Sequence, residues 1–133
     1  MSGDPGSDVE FFPLPAGVRL PFSEAVRVGA LLYLSGQMGT DASGKLVPGG
    51  IEAETRQILA NVRGVLERHG GSMDRVVKCT VMLADMEEWP AMNQVYLEHF
   101  VPPLPARSAF GASGLALGGR IELECIATVD ERV

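Results

Sequence analysis

Residues 51–85 read IEAETRQILANVRGVLERHGGSMDRVVKCTVMLAD. The first part has a helical period. Ile51, Thr55, Ile58, Leu59, Val62, Val65 and Leu66 recur at steps of three and four, which makes one face apolar. Glu52 and Glu54 suit the electropositive start of such a helix and Arg68 its end. Gly70 and Gly71 can take the left-handed backbone that stops it. The period then drops to two. Val77, Cys79, Val81 and Leu83 alternate with Val76, Lys78, Thr80 and Met82, so this strand has two largely apolar faces and both must be covered. A helix feeding a strand of that kind predicts an α+β domain.

Upstream, SEAVRVGALLYLSGQM (residues 23–38) holds two short β-type runs, Ala25–Val28 and Leu31–Ser35, broken at Gly29 in the manner of a hairpin. GTDASGKLVPGG (39–50) is a loop by composition. Pro5, Pro13 and Pro15 oppose regular structure near the start, and residues 1–16 are expected to be a flexible tail. Downstream, a second helix is predicted from about Glu88 to Phe100. Pro90 falls in its first turn, and Met92, Val95, Tyr96 and Phe100 form its stripe. Two strands close the chain, about Arg107–Ala112 and Ile121–Val129, joined by a Gly-rich loop. The order β-β-α-β-α-β-β is satisfied by one mixed sheet with two helices on one face, as a single domain over residues 1–133. The second face, with Val76, Met82 and Ile126, has no helices of its own, so self-association is expected.

The chain has 133 residues, 46% of them hydrophobic, and a formal net charge of −6 with no basic run, which opposes nucleic-acid binding. The N-terminus has neither the basic nor the apolar segment of a signal peptide, and no stretch nears 18 apolar residues. No membrane association and a cytoplasmic location are therefore expected. In that compartment Cys79 and Cys125 should be reduced thiols.

His69 and His99 have no His or Cys at ligand spacing, so no metal site is legible and each is expected to be solvated or capping. SGQMG and GASGLALGG match no phosphate-loop pattern. Two features stand out. One is PPLPARSAF (102–110), in which prolines 102, 103 and 105 stiffen the approach to Arg107. An arginine fork matches a carboxylate at two points. The other is IELECIA (121–127), whose alternation puts Glu122 and Glu124 on one face with Ile126 and Thr128. That face is either exposed at an edge or turned to a subunit interface beside Arg107.

These stretches, with PFSEAVRVGALLYLSGQ, IEAETRQILANVRGVLE and VVKCTVMLADMEEWPAMNQVY, occur in an order that resembles the RidA family, also called YjgF or endoribonuclease L-PSP, over residues 21–129. The resemblance implies a chorismate-mutase-like fold assembled as a homotrimer with sites in the subunit clefts. It also implies cofactor-free hydrolysis of reactive 2-imino acids to 2-oxo acids and ammonia. The family's substrate-binding arginine falls on Arg107, its water-positioning glutamate on Glu122, its second-helix asparagine on Asn93 and its serine on Ser35. Three positions depart from the pattern. Phe22 stands where tyrosine is usual, Glu24 where glutamine is, and Ala109 where cysteine often is, which should remove polar groups from the pocket. Two other readings follow from the same residues: a carboxylate-binding module without turnover, and a ribonuclease, which the acidic balance opposes.

Overall fold

The computed structural model describes residues 8–130. One seven-stranded sheet carries the fold, in the order β1-β2-β3-β7-β5-β6 with the short β4 also on β7. Its strands are β1 (Val9–Phe12), β2 (Ala25–Val28), β3 (Leu31–Leu34), β4 (Gln37–Met38), β5 (Val76–Leu83), β6 (Ala106–Gly111) and β7 (Ile121–Thr128). Helices α1 (Gly50–Arg68) and α2 (Trp89–Leu97) complete it.

α1 forms where its period predicts, and Ile51, Thr55, Ile58, Leu59, Val62, Val65 and Leu66 are all buried. It ends as its glycines allow. Gly70 has φ 85, and the Gly71 N–H donates to the Leu66 carbonyl at 2.7 Å, closing the final turn. Glu54 departs from the expected dipole role. It is buried, and its carboxylate accepts the Arg120 backbone N–H at 2.9 Å, tying α1 to the start of β7. Gly39 permits this packing, since a Cβ there would lie 2.9 Å from the Glu54 Cα.

The β2–β3 hairpin turns at Gly29, φ 57, as expected. The flexible tail expected over residues 1–16 is overturned at residues 9–12. They form β1, paired from Val9↔Val28 to Phe12↔Ala25. The prolines flank this strand rather than interrupt it, so its ladder is complete; residues 1–7 lie outside the described residues. β4 is likewise an addition to the expected order, pairing Gln37↔Leu123 and Met38↔Glu122.

β5 runs antiparallel to β7 and parallel to β6, with α2 in the crossover. Its register slips between Val76 and Lys78. This bulge corrects the expected alternation: Val76 is buried at 7% exposure, and Val77, placed on the core face by strict alternation, is 44% exposed. Past the bulge the pattern holds. Cys79, Val81 and Leu83 join Leu32, Leu34, Leu123, Cys125 and Ala127 in the core. The opposite face presents Phe11, Val26, Tyr33 and Ile126 as successive cross-strand neighbours, with Met82 beside Phe110 further along. Phe11, Tyr33 and Phe110 are exposed at 67%, 41% and 48%.

Candidate functional site

Cross-strand partners share a face, so register decides where the two key side chains lie. Arg107 pairs with Cys79, which pairs with Cys125; all three are on the helix side. Because β6 is the sheet's last strand, the Arg107 side chain can turn over α2. Its guanidinium carbon lies 4.7 Å from the Tyr96 ring centroid and 5.8 Å from that of Trp89, and Nη1 points at the Met92 sulfur at 4.0 Å. Among the described residues no carboxylate pairs with it. Arg107 walls a cleft of about 330 Å³ with Asn93, Tyr96, Leu97, Leu104 and Pro105. One buried polar atom there, Asn93 Oδ1, has no hydrogen-bond partner.

Beneath the cleft nothing ionises near neutral pH. Burial, followed by the neighbouring Cys79 thiol, pushes the Tyr96 phenol well above its usual range. Burial raises the Cys79 thiol, and Cys125 is pushed up to about 12 by burial and then by Cys79. The cation therefore faces a cleft with no anion of its own.

Glu122 pairs with Met82 on β5 and with Met38 on β4, three residues along β7 from Cys125 and on the open face. Burial, then the charge of Glu124, raises its carboxyl above the ordinary value of 4.5. Its carboxylate lies against Gly36, where a Cβ would collide with Oε2. Next to Gly36, the Ser35 hydroxyl donates to the Ser23 carbonyl at 2.6 Å and so anchors the segment bearing Phe22, which is 48% exposed. The site residues expected from sequence thus fall into two groups. Asn93 and Arg107 share the cleft. Glu122, Ser35 and the Phe22 segment gather around Gly36. Ala109 joins neither and packs against the core.

Glu24 is a correction. It does not open onto a pocket but is buried, accepting from Arg68 Nη2 at 2.6 Å and meeting His69 Nε2 at 2.7 Å. Against the desolvation that raises it, the Arg68 and His69 hydrogen bonds and charges hold its carboxyl below 4.5. His69 is not solvated either, because its ring stacks on Phe12 at 4.0 Å. Its backbone N–H does cap the helix, donating to the Leu66 carbonyl at 3.1 Å. His99 Nδ1 lies 2.9 Å from the Val95 carbonyl at the end of α2, a capping contact. Among the described residues no three His, Cys, Asp or Glu side chains converge as metal ligands.

Comparison with known proteins identifies the family of the chain. The family model described as endoribonuclease L-PSP matches residues 15–129. The chain is 46% identical over 114 residues to the 2-iminobutanoate/2-iminopropanoate deaminase of Capra hircus, covering 85% of this chain and 82% of that protein. It is 39% identical over 110 residues to the chloroplastic Reactive Intermediate Deaminase A of Arabidopsis thaliana, covering 82% of this chain and 59% of that one. The crystal structure of RidA from an Antarctic Psychrobacter superposes with a TM-score of 0.80 at 34% identity, covering 89% of this chain and 94% of that one.

Proposed function

The chain belongs to the endoribonuclease L-PSP (RidA) family, and from that premise we propose that it hydrolyses 2-imino acids to 2-oxo acids and ammonia, as the deaminase relatives are named for doing. The observation that carries this reading is Arg107, a cation stacked on aromatic rings in an open cleft with no carboxylate of its own. A 2-imino acid supplies that carboxylate. Two charge-assisted bonds to the guanidinium are worth about 1.5–3 kcal/mol each.

Glu122 is the general base. Burial and the charge of Glu124 raise its pKa, which makes the carboxylate a better acceptor of a proton from water. Water adds to the C=N carbon, and its proton passes by way of Glu122 to the nitrogen. The hydroxyl proton of the resulting carbinolamine then passes to its amino nitrogen as the C–N bond breaks, releasing ammonia and leaving the ketone oxygen. No metal, cofactor or covalent nucleophile enters the scheme.

Within one chain Arg107 and Glu122 lie on opposite faces of the sheet and three residues apart in register, about 10 Å along the strands. One imino acid therefore reaches both only if a second copy supplies the glutamate. The uncovered face, with Phe11, Tyr33 and Phe110, is the surface such a copy would cover. We assign the assembly as a homotrimer on the family resemblance, with Phe22, Ser35 and Asn93 as further substrate-side residues; Ala109, packed against the core, is not among them. Among the described residues no helix is long and apolar enough to cross a membrane. A cytoplasmic location fits two unbridged thiols. A net charge of −6 opposes RNA as substrate.

The test is a coupled assay in which an amino-acid oxidase generates imines from a panel of amino acids and semicarbazide traps what remains. Faster loss of trapped imine with the wild type, abolished in Arg107→Ala and Glu122→Gln, is expected. Binding of pyruvate without any acceleration would instead make the protein a carboxylate-binding module.

A further inference from the structure

Arginines in binding clefts are commonly held by a carboxylate, which fixes the side chain but occupies the fork. Arg107 is held differently. Trp89, Met92 and Tyr96 follow one another on α2 at steps of three and four and so share a face, and that face meets the guanidinium with two rings and a thioether. A ring face attracts the cation without using its N–H groups, so apart from the Nη1 contact to the Met92 sulfur the fork's outward directions stay free.

The supports are themselves fixed. Tyr96 is 4% exposed, and its ring packs on Phe100 at 4.6 Å. Trp89 opens α2 just after a turn in which the Asp85 carboxylate accepts the Glu87 backbone N–H at 2.9 Å. Trp89 nonetheless remains 41% exposed, a large apolar surface that the buried side of α2 does not require.

We propose that Trp89, Met92 and Tyr96 are positioning residues for imine hydrolysis: they orient Arg107 so that its fork meets the substrate carboxylate with little further loss of freedom. This rests on Arg107 being the carboxylate-binding residue. The cradle acts on ground state and transition state alike, so its loss should raise KM more than it lowers kcat.

The experiment uses the full-length protein and pyruvate as the probe. In Trp89→Leu and Tyr96→Leu, calorimetry should show pyruvate binding weakened roughly 3- to 10-fold, with KM for the imine raised by a similar factor. The value of kcat should hold within about twofold. Trp89→Phe and Tyr96→Phe, which keep a ring, should restore most of the affinity. Trp89 is the only tryptophan, so its fluorescence should change as pyruvate binds to the wild type and not when pyruvate is added to Arg107→Ala. If both Leu variants bind pyruvate as the wild type does while Arg107→Ala does not, the cradle is irrelevant and the arginine site stands. If Arg107→Ala binds as the wild type does, both readings fall. Should Tyr96→Leu not fold, the half-exposed Trp89→Leu decides the matter alone.

Discussion

On β5, Cys79, Val81 and Leu83 lie under the helices at 0% exposure, while Lys78, Thr80 and Met82, their neighbours along the strand, stay half-exposed on a face the chain does not cover. Arg107 belongs to the first face and Glu122 to the second. Around Arg107 the closed face brings rings, sulfur and cleft wall together within one chain. The open face carries Glu122 held against Gly36, on a side of the sheet that the chain's own helices do not cover. Carboxylate recognition should therefore depend on single side chains, and water activation on assembly as well.

Removing the fork tests the closed face most severely. Arg107→Ala should lose about 1000-fold in kcat/KM, the worth of two charge-assisted bonds, while circular dichroism stays unchanged. Arg107→Lys should recover only a small part, because a point charge lacks the two-point geometry.

The open face is tested through assembly. Wild type should run in light scattering at about three times 14.2 kDa, and Ile126→Glu, which puts a charge among Tyr33 and Lys78, should run as a monomer. The monomer should lose about 100-fold in kcat by losing the partner's glutamate. It should still bind pyruvate, because the arginine half needs no partner. A monomeric variant with full turnover would collapse the distinction between the faces.

A smaller effect comes from Gly36→Ala, whose methyl displaces the Glu122 carboxylate; kcat should fall about 10-fold with KM little changed. The pH profile has a definite sign. In the proposed mechanism Glu122 acts as the ionised form, and its pKa is raised, so kcat should fall as pH drops through a value above 4.5, and Glu122→Gln should abolish that limb. In the folded state the raised carboxyl binds its proton more readily than in the unfolded chain. Its contribution to stability therefore declines as pH rises from 4.5 through the raised value.

The smallest effect is expected at Glu24, whose carboxylate is buried against Arg68 and His69. Glu24→Gln should lower the melting temperature by about 3–4 °C at pH 7, corresponding to about 1 kcal/mol. Glu24 has a lowered pKa, so its ionised contribution is complete above 4.5 and is lost as pH falls through the lowered value. The difference between variant and wild type should therefore shrink only below pH 4.5.

The parts of the fold that announce themselves by period were legible in the sequence: α1, the hairpin and the alternation of β5 and β7. Short-range patterning could not reveal partners brought by the fold. Val9–Phe12 is too short to be seen as a strand without β2 beside it, and prolines on its C-terminal side disguised it. Two residues, Gln37 and Met38, cannot show any period at all. The bulge at Val77 shifts the alternation by one without changing composition, so Val76 and Val77 exchange faces. Glu54 and Glu24 look like solvent residues because their partners, the Arg120 amide and the Arg68–His69 pair, are respectively 66 and about 45 residues away. Of the site, Arg107 and Glu122 were visible as chemistry, but the cradle was not: Met92 and Tyr96 have the same spacing whether they pack on a core or on a cation.

Cys79 and Cys125 face one another across the two central strands, at 0% and 3% exposure. Burial raises the pKa of both thiols, Cys125 to about 12, so neither is a reactive thiolate while the sheet is closed. A thiol reagent added to the native protein must therefore wait for β5 and β7 to part. Its rate of incorporation becomes a clock for the opening of the middle of the sheet, read without denaturant and without any engineered label.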